Sequence, residues 1–103
     1  MDVITSVQGI PIRVTDERWL HVVEEHSELS GMYYNVLEVV QTPDEVYEGH
    51  YSEFLAVKRL DQRLFLIAIY KVVAPDDGFL ITAFLTTRKN WFMKRKRIWP
   101  REK

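Results

Sequence analysis

The chain has 103 residues, no cysteine, four glycines and a hydrophobic fraction of 47%. A domain of this length buries roughly 60–70% of the surface its unfolded chain exposes, so one apolar core suffices without a disulfide or metal staple. The composition excludes a disulfide scaffold, a thiol nucleophile and a thiolate zinc site, and the sequence contains no glycine-rich phosphate loop, dinucleotide fingerprint or G-x-S-x-G elbow.

No apolar run approaches the ~18 residues that cross a bilayer, and the N-terminal stretch lacks a basic region followed by an apolar one, so the reading is cytoplasmic, with no membrane partner. The net charge of −1 conceals a division: residues 88–103 hold eight Lys and Arg against one acid, a net of +7, and residues 1–87 hold six bases and fourteen acids, a net of −8. An acidic body with a basic tail suits an anionic partner such as nucleic acid, or a tail docked on the acidic body of its own chain or of a second copy, which would make a homodimer.

VITSVQGIPIRV, residues 3–14, is β-branched and broken at Gln8-Gly9, which predicts a short hairpin or a bent strand. Thr15 or Asp16 is the expected cap of a first helix over Asp16 to Glu25, on which Trp19, Leu20, Val22, Val23 and His26 recur at helical spacing. Tyr33, Val36, Leu37 and Val40 define a second helix ending before Pro43, and TPDEVYEGH, residues 42–50, reads as a helical turn with Thr42 as cap and Pro43 in the first position.

Beyond it the period changes to two, giving strands over residues 51–60, 63–73 and 78–87, with loops short enough for an antiparallel meander. The tail holds one more strand or a short helix around Phe92 to Trp99, between which the sequence does not choose. The expected fold is a single α+β domain. Two N-terminal helices cover one face of a three- to four-stranded antiparallel meander, a short β-hairpin precedes them, and the other sheet face is partly open.

Alternation along the last long strand predicts Phe79, Ile81, Ala83 and Leu85 beneath the helices and Leu80, Thr82, Phe84, Thr86 and Arg88 on the opposite side. Thr82 suits a ligand-facing strand, and it equally suits an ordinary half-exposed pleat. His21, Glu25 and His26 form no metal site: the histidines are five apart rather than four, and no third ligand is evident. His26 at the helix end is a candidate general acid or base, or simply a capping or solvated histidine. In the tail, Trp91, Phe92 and Trp99 alternate with Arg88, Lys89, Lys94, Arg95, Lys96 and Arg97. Rings that stack bases beside cations that neutralise phosphate are what RNA or single-stranded DNA requires. A final strand with solvated cations accounts for the same pattern.

WLHVVEEHSEL (19–29), VLEVVQTPDEVYEG (36–49), LIAIYKV (66–72) and DGFLITAFLTTR (77–88) together resemble the small phage and bacterial nuclease domains grouped as barnase, EndoU, colicin and RelE-like, the BECR fold. The resemblance implies metal-independent RNA cleavage by 2′-hydroxyl attack, with no cofactor. It carries the family's helical histidine onto His26, its strand lysine onto Lys71 and its Thr-Ala-Phe onto Thr82, Ala83 and Phe84. In that reading His26 is the base or acid, Lys71 with Arg88 stabilises the phosphorane, and Thr82 donates or orients a hydrogen bond. Lys58, Arg59, Lys89, Trp91, Lys94, Arg95 and Arg97 then bind the RNA. Glu25 stands where the family's pattern has a basic residue, so an inactive or repurposed member is the alternative. The function implied is an endoribonuclease toxin of a toxin-antitoxin or phage-related system, acting on tRNA or mRNA and held by a cognate antitoxin. A non-catalytic RNA-binding or protein-interaction module on the same fold is the other reading.

Overall fold

A computed structural model describes residues 1–101. Its elements are β1 (Asp2–Thr5), β2 (Pro11–Val14), α1 (Asp16–Glu25), a 3₁₀ turn (Ser27–Leu29), α2 (Tyr33–Gln41), β3 (Glu45–Glu48), β4 (Glu53–Arg59), β5 (Phe65–Ala74), β6 (Asp77–Thr86), α3 (Lys89–Met93) and β7 (Arg97–Trp99). The fold class is α+β, but the expected three- to four-stranded meander under two helices is wrong. The sheet has seven strands in the order β1-β2-β6-β5-β4-β3-β7, is mixed through one parallel pair, and is served by three short α-helices.

The local expectations for the N-terminal half hold where the chemistry is local. The Thr15 side chain accepts from the Arg18 amide and caps α1, which spans Asp16–Glu25. Gly9, at φ +81°, closes the β1–β2 turn in a conformation that favours glycine, with its amide donating to the Ser6 carbonyl.

What the hairpin pattern does not reveal is where β2 goes next. It lies parallel to β6, with Ile12 opposite Gly78 and Arg13 opposite Phe79. The Arg13 side chain locks this junction, meeting Asp77 at 2.8 Å and lying 6.0 Å from the Phe79 ring. Gly78 is required here for space: a Cβ would lie 2.6 Å from Ile12 Cδ1 and 2.7 Å from the Lys71 carbonyl.

The segment expected as a helical turn at residues 42–50 contains a strand instead. Thr42 ends α2, its hydroxyl donating to the Glu38 carbonyl, so Pro43 terminates a helix rather than starting one. The Asp44 carboxylate then accepts from the Arg59 amide at 2.7 Å, which sets β3 against β4, and Val46 and Tyr47 are both buried on opposite sheet faces.

The apolar residues divide between two cores. On the helical face, Val22, Leu29, Val36, Val39 and Val40 pack on Ile12, Ala56, Leu66, Ala68, Tyr70 and Leu80. Tyr70 is fully buried and donates to Gln8 Oε1 at 2.7 Å, and burial pushes its phenol up to about 12. On the far face, Tyr47, Leu55, Val57, Phe65 and Ile67 are covered by Phe92, which is 1% exposed. The tail therefore contains both a helix and a strand: α3 closes much of the face expected to be open, and β7 adds the outer strand beside β3. Residues 102 and 103, the end of the tail, lie outside the described residues.

Replacing Gly78 with Ala should destabilise the fold by about 1–3 kcal/mol, because one obstructing atom is backbone and cannot swing aside. Denaturant unfolding monitored by circular dichroism measures this, and an unchanged midpoint would contradict the close packing of β2 on β6.

Candidate functional site

Register places the far-face side chains in rows across the sheet. Arg13, Phe79, Lys71 and Glu53 stand opposite one another in sequence at one end, and Thr86, Phe65 and Arg59 at the other. The alternation expected for β6 is interrupted by a β-bulge: Ile69 faces Thr82 while Tyr70 faces Leu80, leaving Ile81 unpaired between them. The extra residue changes the phase. Leu80 joins Ala83 and Leu85 on the helical core, and Phe79 moves to the far face with Thr82, Phe84 and Thr86.

On β6, β2 pairs only with Gly78 and Phe79, and beyond them α1 lies alongside β6, with Arg18 Nη1 donating to the Ile81 carbonyl at 3.3 Å. This brings the end of α1 to the far-face aromatics. The half-buried His26 ring is 5.8 Å from Phe84, Phe84 meets Trp91 of α3 edge-on at 5.6 Å, and the Arg95 guanidinium lies over Trp91 at 4.8 Å. The result is a strip running from an imidazole through two rings to a guanidinium. Beside it, a cleft of about 260 Å³ is lined by Arg18, His21, Glu25 and Thr82. Thr82 Oγ1 is buried and has no hydrogen-bond partner among the described residues. A hydroxyl left so is costly, which separates Thr82 from an ordinary half-exposed pleat position.

The strip is anchored from below by α3. Phe92 stands edge-on to both Tyr47 and Phe65, at 5.5 and 5.2 Å. Burial, followed by the hydrogen bond to Glu45, pushes the Tyr47 phenol up to about 12, so it remains a donor beneath the tail.

His26, Thr82, Phe84, Trp91 and Arg95 are thus gathered together, while Lys71 and Arg88 are not brought together with each other. Lys71 pairs with Phe79, and Arg88 lies beyond Thr86, which belongs to the row of Phe65. Six residues of β5 separate the two rows, about 20 Å along a strand, so these cations do not converge on one phosphate. Lys58 points to the helical face, where it donates to the Thr42 carbonyl and pairs with Glu38 at 3.6 Å. Arg59 lies over Phe65, 5.7 Å from its centroid, and donates to the Gln62 carbonyl. Arg97 pairs with Glu45 at 3.3 Å.

Among the described residues, Arg88, Lys89, Lys94 and Lys96 have no acid within 4.0 Å, so the tail is held mainly by Phe92, Ile98 and Trp99 and by the Arg97–Glu45 pair. Sequence reading missed Phe79 and Arg13 as far-face neighbours of Lys71; both depend on the bulge and on the parallel β2 pairing, and neither has a local signature. No group of three His, Asp or Glu among the described residues is placed to hold a metal ion, and no described helix is long and apolar enough to cross a membrane.

Set against known proteins, the chain matches no family model, no curated protein and no solved structure.

Replacing Thr82 with Val, the same shape without the hydroxyl, should raise stability by about 1 kcal/mol, since an unpaired buried donor is removed without opening a cavity. Thermal unfolding checks it; a comparable loss would mean that the hydroxyl is satisfied after all.

Proposed function

We propose that the protein binds single-stranded RNA along the strip of Phe84 and Trp91, with Arg95 and the neighbouring tail cations on its phosphates. The observation that supports this most is that, among the described residues, Arg88, Lys89, Lys94 and Lys96 have no acid partner within 4.0 Å although residues 1–87 carry a net of −8. Had these four cations served only to dock the tail on its own body, acids of that body would stand beside them, as Glu45 does beside Arg97. Aromatic faces accept any base, each stacked base contributing roughly 1–3 kcal/mol, and counterions released from the RNA as Lys and Arg neutralise its phosphates supply affinity that falls with salt.

Removing Trp91 is therefore expected to weaken binding of a short oligouridylate by about 1–3 kcal/mol, roughly fivefold to 150-fold, by fluorescence anisotropy. Equal affinities for Trp91→Ala and wild type would remove the stacking role. No binding by the wild type would remove the proposal.

A second reading is favoured by the His26 imidazole lying at the end of the same strip, beside the unpartnered Thr82 hydroxyl. In metal-free cleavage the 2′-oxygen attacks phosphorus, the bond to the 5′-oxygen breaks, His26 takes the 2′-hydroxyl proton, and water protonates the leaving oxygen. Arg95, which lies over Trp91, is then the cation on the aromatic strip in place of a Lys71–Arg88 pair, whose members lie far apart. As a toxin, such an enzyme would be silenced by an antitoxin covering this surface. In EDTA the wild type should release fragments with 2′,3′-cyclic phosphate ends, and His26→Ala should lose them while still binding RNA. Intact RNA with the wild type leaves a binding module, and undiminished cleavage by His26→Ala removes that residue from the chemistry.

A further inference from the structure

The row of functional groups continues past Trp91. Arg95, stacked on that ring, also lines a cleft of about 370 Å³ whose other walls are Glu48, Gly49 and His50 of the β3–β4 loop, with Lys94 and Lys96 of the tail. The two walls are joined by the Glu48 amide donating to the Lys96 carbonyl at 2.9 Å.

The loop is held from within by one carboxylate. Glu53 Oε1 accepts from the His50 and Tyr51 amides at 2.7 and 3.2 Å, and the Gly49 amide donates to the Glu53 carbonyl at 2.7 Å. A Cβ on Gly49 would stand 2.0 Å from that carboxylate oxygen, so glycine is what lets Glu53 reach beneath the loop. Ser52, at φ +68°, completes a turn that a side-chain-bearing residue adopts only when its surroundings impose it.

The charge inside is uneven. Lys94, Arg95 and Lys96 face one lining acid, Glu48, a balance of +2, and Glu53 is occupied with backbone amides. Among the described residues neither lysine has an acid within 4.0 Å. Two ammonium groups, an imidazole and a pre-set loop form a receptor for a compact anion bearing several acceptor oxygens.

We propose that this cleft binds a phosphate of the RNA strand whose neighbouring base stacks on Trp91, with Lys94 and Lys96 as its cations and His50 as a hydrogen-bond donor. The inference rests on the RNA-binding reading and extends that surface to the β3–β4 loop. Glu48 opposes the phosphate, and its removal should tighten binding.

The test is the salt dependence of oligouridylate affinity for the full chain, comparing the wild type with Lys94→Ala/Lys96→Ala, Glu48→Ala and Arg63→Ala, all confirmed as folded by circular dichroism. Each phosphate contact contributes about 0.7 to the slope of log affinity against log salt for a single strand, so the double variant, which loses this one phosphate, should lose roughly 0.7. Arg63→Ala, altered in the β4–β5 loop, should keep the full slope, and Glu48→Ala should bind more tightly than wild type. Inorganic phosphate alone should shift the His50 ring resonances saturably in the wild type. An unchanged slope in the double variant, with RNA still bound, would overturn the cleft while sparing the strip. Absence of RNA binding by the wild type would overturn both, and a His50 ring indifferent to phosphate would remove that residue.

Discussion

The parallel seam between β2 and β6 is the constraint on which the arrangement of the far face depends. It needs Gly78 to be bare, so that Ile12 can approach, and it is clamped by Arg13 on Asp77 and Phe79. Because the seam is short, ending at Phe79, the rest of β6 is left for α1, and Arg18 takes up the Ile81 carbonyl that lies there. That is how a helix whose apolar side belongs to one core delivers His26 to an aromatic ring on the other side of the sheet. A bulge at Ile81 in the same stretch turns Thr82 and Phe84 toward it.

The tail is the second half of this construction. β4 and β5 are apolar on both faces, so a single layer of helices leaves Leu55, Val57 and Ile67 without cover. Phe92 supplies it, and burying one such ring contributes on the order of 1.5–3 kcal/mol. The tail is thus fixed largely by an apolar residue, while among the described residues Arg88, Lys89, Lys94 and Lys96 have no acid within 4.0 Å, and this separation of anchoring from charge makes a basic surface on an acidic protein physically reasonable.

Much of this was legible in the sequence, in unequal degrees. α1, α2 and the three long strands follow from caps, prolines and periodicity, which are local properties of the chain. FLIAIY, buried at every position but one, signals two covered faces, and that apolar run by itself argues against an open far face. The strand at Glu45–Glu48 was hidden because Thr42-Pro43 looks the same whether it ends a helix or begins one. The parallel seam and the bulge are set by tertiary packing, so Phe79, Arg13 and His50 had no sequence signature as members of a surface. His26, Thr82, Trp91 and Arg95 were identifiable from residue type and position, yet the sequence could not show that Lys71 and Arg88 lie at opposite ends of the sheet.

The strip of His26, Phe84, Trp91 and Arg95 joins residues from α1, β6, α3 and the turn after it, elements brought together only by the seam and the tail. Its use as an RNA surface is tested most directly by ultraviolet crosslinking of a single-stranded oligouridylate to the full chain, followed by mapping of the modified peptides. Adducts on the peptides containing Phe84 and Trp91, suppressed by unlabelled RNA and by added salt, are the predicted result. Adducts confined to the outward ring of Tyr34, on the helical side of the sheet, would contradict it.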